Sequence, residues 1–202
     1  GSNAHRGYIF LSGLVLLAAW EAASVAPERL RPAVAELARR FFGREEAAGG
    51  GAGDDAGGDV SFSGTRPGAE VRRAYELGGI EAEALAGVPA VFEGALPLLA
   101  SAMRGGADPP AADLYGAMAA VMTRLEDTTA VRRCGLAGLD RIRRDGARLR
   151  AMLSRGENPR PQLELWNEEY RAWGLTMGGV ADGLALAIAL AGAGRGVGPV
   201  DP

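Results

Sequence analysis

The chain has 202 residues, enough for one well-buried domain, and carries a formal net charge of −3 with arginine as its only strong base. That balance argues against a nucleic-acid binder working through general electrostatics. One cysteine, Cys134, excludes an internal disulfide and fits a reducing cytoplasm, and one histidine leaves too few players for zinc sites or for Ser-His-Asp and Cys-His triads.

Period-2 runs of β-branched and aromatic residues are missing, so the sequence predicts an all-α single helical bundle over residues 1–192, with a tail at 193–202. In chain order, helices are expected over 7–22, 28–46, 68–77, 79–87, 89–104, 110–127, 129–153, 160–173 and 178–192. Pro27, Pro109-Pro110 and Pro159 with Pro161 mark helix starts, and Gly105-Gly106 and Gly156 mark ends. The glycine-rich stretch 47–67 cannot bury a core and reads as a flexible surface loop, either a tolerated insertion or a lid.

The first and last helices are apolar all round and are expected to be central, surrounded by the others. Tyr8 to Trp20 is uncharged but too short for a bilayer that needs roughly 20 residues. Leu175 to Gly194 is long enough, yet Asp182 and its glycines make it a poor span. No membrane partner and no signal-peptide pattern are expected. Gly1-Ser2-Asn3-Ala4 resembles an expression-vector remnant, which would put the first native residue near His5.

Four clusters carry candidate chemistry. In Asn3-Ala4-His5-Arg6-Gly7, free amides at a helix start and an adjacent arginine make an anion site, or else a polar cap. The second runs from Gly68 through Arg72, Arg73 and Tyr75 to Gly78-Gly79, Glu81, Glu83 and Gly87-Val88-Pro89. Its glycines could bring backbone amides to a phosphate or sugar. Glu81 and Glu83 are two apart and point to different helix faces, so they do not form one paired site.

The third cluster, Glu126-Asp127-Thr128-Thr129, is followed by Arg132 and Arg133. Adjacent carboxylates can hold Mg²⁺ and the arginines can clamp phosphates; alternatively, Asp127 or Thr128 caps the next helix. The fourth is Thr176, Gly178-Gly179 and Asp182, with Thr176 as the expected helix cap. Glycines and a lone carboxylate there cost an apolar helix stability, which points to close approach of backbone to a ligand. No Gly-Lys-Ser/Thr loop or strand-preceded dinucleotide fingerprint is present.

Taken in order, these clusters resemble the triphosphoribosyl-dephospho-CoA synthases. That family's Asn-Thr-His-Lys/Arg-Gly motif is met by Asn3, His5, Arg6 and Gly7. Its Gly-x-x-Val-x-x-x-Tyr, Gly-Gly-Ala-Arg-Gly-Glu-Ala and Gly-Phe-Pro motifs are met by Gly68, Val71, Tyr75, Gly78, Gly79, Glu83, Ala84, Gly87 and Pro89. Asp127, Thr128, Arg133, Gly135, Gly138 and Leu139 match the third motif, and Gly178, Gly179, Ala181 and Asp182 the fourth. The match to Asn3 would make the apparent vector remnant native sequence. Departures from the pattern fall at Thr129, Arg132, Cys134, Met177 and Val180. The resemblance also implies an upstream segment, with a Pro-Gly-Leu-Val-Asp type motif, that precedes the first matched cluster in the family.

The resemblance implies a cytoplasmic transferase that moves the triphosphoribosyl group of ATP to 3′-dephospho-CoA and releases adenine. In that reading Glu126 and Asp127 bind Mg²⁺ or face the oxocarbenium-like centre, and Asp182 is the second acidic partner. The expected substrate contacts are His5, Arg6, Arg72, Tyr75, Gly78, Gly79, Glu83, Arg132, Arg133, Thr176, Gly178 and Gly179. Two other readings stay open: a divergent helical nucleotide-using enzyme of another cofactor pathway, such as pterin-linked one-carbon chemistry, and a non-catalytic helical subunit.

Overall fold

The structure is a computed structural model that describes residues 6–48, 75, 77–104 and 107–193. The described residues are all-α. The helices are α1 (Arg6–Ala22), α2 (Pro27–Ala48), α3 (Gly79–Leu85), a π-helical segment (Ala90–Ala95), α4 (Leu96–Ala102), α5 (Ala111–Arg124), α6 (Thr128–Ser154), α7 (Arg160–Trp173) and α8 (Gly178–Ala193). The glycine-rich stretch beyond Ala48, the expected 68–77 helix apart from Tyr75 and Leu77, and the tail after Ala193 lie outside the described residues.

The last helix is central, as its composition predicts. α8 packs on α1, α4, α5, α6 and the π-helical segment, and it buries Val180, Gly183, Leu186, Ala187 and Ala191. α1 corrects the expectation made for it. It packs on α2 and α8 through Leu11, Leu14, Val15 and Ala18, while Ile9, Leu16, Leu17 and Trp20 face outward, with Trp20 85% exposed. An apolar composition gives no helical phase, so a one-sided helix and a surrounded one look alike in sequence. No single helix among the described residues is long and apolar enough to cross a membrane.

Two predicted helices are broken for reasons of backbone chemistry. The 89–104 prediction resolves into the π-helical segment and α4 because Pro97 has no N–H to continue the ladder. The turn before it widens, with Leu96 N–H donating to the Val91 carbonyl in the i→i+5 register. The 129–153 prediction is a bent helix: inside α6, Gly135 sits at φ 64°, ψ −168°, a region almost reserved for glycine. The bend folds the first turns of α6 back, so that Gly138 lies against Ala130 and Cys134, and the longer arm runs along α5. Helix α5 stops at Arg124, short of the predicted 127, and Leu125 turns the chain out in an extended conformation.

The bend at Gly135 makes a first prediction. Gly135→Ala has open space for its methyl group but must hold a positive φ. It should lower the unfolding free energy by about 1–3 kcal/mol, read as a shift of the urea midpoint at unchanged m-value.

Candidate active site

The motif-bearing turns converge. Glu126, at the α5–α6 junction, accepts a hydrogen bond on Oε2 from the Gly78 amide at 2.8 Å and a longer one from Gly79 at 3.3 Å. This ties the third cluster to the second. Asp127 follows it in sequence and turns the other way. Its Oδ1 accepts from the amides of Thr129 (3.0 Å) and Ala130 (3.1 Å), while Oδ2 accepts from the Val180 amide at 3.1 Å. One carboxylate thus caps α6 and also receives the first turn of α8, tying the third cluster to the fourth. A β-carbon on Gly7 would collide with the Asp182 carboxylate and press on Ile80, so the start of α1 meets both α8 and α3.

Asp127 is only 1% exposed, and burial raises its carboxyl above the usual carboxylate range while the amides of Val180, Ala130, Thr129 and Gly179 pull it back. The structure therefore gives Asp127 the capping role that the sequence leaves as one of two alternatives. Thr176 is not the cap that was expected for α8. Its Oγ1 is buried and makes no hydrogen bond among the described residues, and the carboxylate that reaches the first turn of α8 is Asp127, through the Val180 amide. The glycine pair serves this contact: a side chain on Gly179 would press on Leu125 and the Asp127 carboxylate, and one on Gly178 on Thr129.

The two adjacent acids thus point apart, and no group of three or more His, Cys, Asp or Glu side chains able to hold a metal ion occurs among the described residues. Arg132 and Arg133 lie exposed in the first turns of α6, and Tyr75 is 42% exposed. Asp182 is half-buried. His5 and Arg72 lie outside the described residues, and Arg6 is described only as the first residue of α1.

Glu83 and Arg143 complete the junction. Glu83 is 8% exposed; its Oε1 accepts a 3.3 Å hydrogen bond from the Ala90 amide, and its Oε2 is buried with no hydrogen-bond partner among the described residues. Burial, then the charges of Glu126 and Glu93, push the Glu83 carboxyl up to about 7, against the Ala90 amide and Arg31. The turn beside it is strained: Gly87 and Val88 both have positive φ, and Val88 is β-branched and 1% exposed. A buried acid next to strained backbone and a π-helical turn has the marks of a working residue.

Arg143 is absent from the residues that the sequence singles out. It approaches Glu126, Nη2 to Oε1 at 4.0 Å, and its Nε is buried with no hydrogen-bond partner among the described residues. On a straight helix it would stand about 22 Å from the start of α6, at 1.5 Å per residue. The bend at Gly135 returns it to the junction, and a continuous-helix prediction has no sign of that.

Fold and site together define an all-helical protein in which four motif-bearing turns meet around buried and half-buried carboxylates. A family model described as "CitG: ATP:dephospho-CoA triphosphoribosyl transferase" matches residues 1–199, and the chain belongs to this family. It is 34% identical over 198 residues to a protein of Azotobacter vinelandii named "Probable 2-(5''-triphosphoribosyl)-3'-dephosphocoenzyme-A synthase". Proteins of the same name from Pseudomonas paraeruginosa and Pseudomonas syringae pv. syringae are 33% and 32% identical over 195 and 202 residues. The matches cover 94%, 94% and 99% of this chain but 60%, 60% and 64% of the relatives, so the chain spans about three-fifths of their length. No solved structure matches the chain.

Two stability measurements follow. Asp127→Ala should cost about 2–4 kcal/mol, because amides of two helices lose their acceptor together, and Asp127→Asn less, since one amide oxygen remains. For Glu83 the folded state holds its proton more tightly than the unfolded state, whose carboxyl titrates near 4.5. Stability is therefore unaffected by this group below about pH 4.5 and declines as pH rises toward 7, by about 3 kcal/mol in all. Denaturant titrations from pH 4 to 8 should show that decline in the wild type and a flatter profile in Glu83→Gln.

Proposed function

We propose that this chain forms the helical core of a transferase that moves the 5-triphosphoribosyl group of ATP to 3′-dephospho-CoA with release of adenine. The observation that carries the reading is the meeting of four motif-bearing turns, distant in sequence, at one buried junction, in a chain that belongs to the family of that reaction.

In this reaction the bond from ribose C1 to the adenine nitrogen breaks and a bond forms from C1 to a ribose hydroxyl oxygen of the acceptor. The hydroxyl proton leaves and adenine gains one, so an acid and a base are both required. Glu83, kept protonated by burial up to about pH 7, suits the donor to departing adenine. Asp182, in the first turns of α8 beside the start of α1, suits the acceptor of the hydroxyl proton. Negative charge near C1 stabilises the oxocarbenium-like transition state, and Glu126 is the acid oriented toward α3 for it. Asp127 acts through position, holding α6 and α8 together.

The retained triphosphate needs cations. Arg6, Arg72, Arg132 and Arg133 from the motifs, with Arg143, are assigned to it, and Mg²⁺ is assigned as the counter-ion that arrives with the nucleotide. Were the protein to hold the ion as well, Glu126 would do so as a single carboxylate in place of its role near C1, since Asp127 faces α6 and α8. Use of ATP fits a cytoplasmic setting. The departures at Thr129, Arg132, Cys134, Met177 and Val180 favour a second reading on the same chemistry, in which the acceptor is a different hydroxyl compound.

The test is adenine release from Mg-ATP with dephospho-CoA, followed by chromatography. Release that depends on dephospho-CoA is expected, with kcat lowered about 10²–10⁴-fold in Asp182→Asn and in Glu83→Gln. A falling limb in the wild-type rate above about pH 7 should vanish in Glu83→Gln. Full activity in both variants would sink the residue assignment; release only with other acceptors would favour the second reading. The absence of both ATP binding and adenine release would overturn the transferase.

A further inference from the structure

Beyond the junction, the long arm of α6 carries Arg141, Arg144 and Arg148 along one side, facing Gln162, Trp166 and Glu169 of α7 across an open groove of about 370 Å³. The groove's charges are unevenly matched. Both of its carboxylates are taken by Arg141, whose Nε donates to Asp145 at 2.6 Å and whose Nη2 pairs with Glu169. Asp145 also accepts the Tyr170 hydroxyl at 2.8 Å. Arg148 hydrogen-bonds a neutral partner, Gln162 at 2.7 Å, and its guanidinium lies 5.7 Å over the Trp166 ring, while Glu157, the carboxylate that feels its charge, is paired with Arg155. Arg144 is exposed and pairs with no described residue.

A second concavity, about 430 Å³, adjoins this one at Arg144 and is lined by Ala137, Asp140, Arg143, Arg144 and Trp173. Arg143 is the residue that approaches Glu126 at the junction, and its Nε has no hydrogen-bond partner among the described residues. An edge richer in arginine than in carboxylate therefore runs from the motif junction over Arg143 and Arg144 to Arg148, with Asp140 as the one acid lining the second concavity. From Arg141 to Arg148 it spans about 10 Å of helix. Such an edge suits a chain of phosphates, because each guanidinium presents a planar fork to phosphate oxygens.

We propose that the α6–α7 groove binds the oligophosphate of a substrate, with Arg144 and Arg148 as the cationic contacts and Arg143 as the link to the reacting centre. This rests on the transferase reading above. The shared chemistry is an oligophosphate, and its two possible sources are the triphosphate of ATP and the diphosphate of the acceptor.

Calorimetry with inorganic tripolyphosphate as probe, at low salt, tests the groove without any turnover. The wild type should bind it, Arg144→Gln about tenfold more weakly, and Arg144→Gln/Arg148→Gln weaker still, tenfold being one lost charge-assisted contact. The control Arg39→Gln/Arg40→Gln removes two exposed arginines of α2 that pair with Glu36 and Glu21, away from the groove, and should bind as the wild type does. Steady-state kinetics then assign the source. The KM for ATP alone, or for dephospho-CoA alone, should rise about tenfold in the groove variants with kcat held within about twofold. No tripolyphosphate binding by the wild type, or equal weakening in the control, overturns the groove. If the wild type binds the probe and loses it in the groove variants but releases no adenine, the groove stands and the transferase reading fails.

Discussion

The Asp127 carboxylate is the contact on which the site depends. It sits where two helix starts need an acceptor, and it supplies both, one oxygen to the first turn of α6 and the other to the first turn of α8. At 1% exposure this arrangement is favourable only while the amides remain in place, because desolvation of the charge is offset by those hydrogen bonds. Gly179 at the start of α8 fits the same contact, since a side chain there would press on that carboxylate and on Leu125. A costly glycine-rich opening in an apolar helix thus has a structural cause, and the approaching group is part of the protein itself.

From this anchor the neighbouring residues take distinct tasks. Glu126 turns away from Asp127 to hold the Gly78 and Gly79 amides. Asp182, a half-turn beyond Val180, is brought against the start of α1. Glu83 lies further along α3, where burial and the nearby carboxylates Glu126 and Glu93 favour its neutral form and one oxygen has no hydrogen-bond partner among the described residues. Three acids of similar intrinsic strength so acquire different surroundings.

The all-α class, the central place of α8 and the boundaries of α7 were legible because proline starts, glycine stops and apolar periodicity are local signals. Gly174 and Gly156, at φ 71° each, end their helices in the left-handed conformation that local chemistry demands. The outward face of α1 was not legible, because a helix apolar on every side carries no record of which side is covered. The bend at Gly135 was equally silent: a glycine with good helix formers on both sides reads as a tolerated interruption. With the bend unseen, Arg143 could not be connected to Glu126. Thr176 was misread for a related reason, since a hydroxyl just before a helix is the usual cap and nothing local reveals a carboxylate that arrives from 53 residues away in sequence.

By itself the sequence determined the helical class, the positions of the four clusters and the family to which they belong, since these rest on residue identity and short-range spacing. Only the tertiary structure decided the surroundings of the clustered residues that it describes. It made Asp127 a double cap instead of half of a carboxylate pair, set Glu83 in a buried site with one oxygen unpartnered among the described residues, and placed Arg143, Arg144 and Arg148 along two adjoining concavities. Those outcomes depend on which polar groups lose water together, and that is settled by packing between helices distant in the chain.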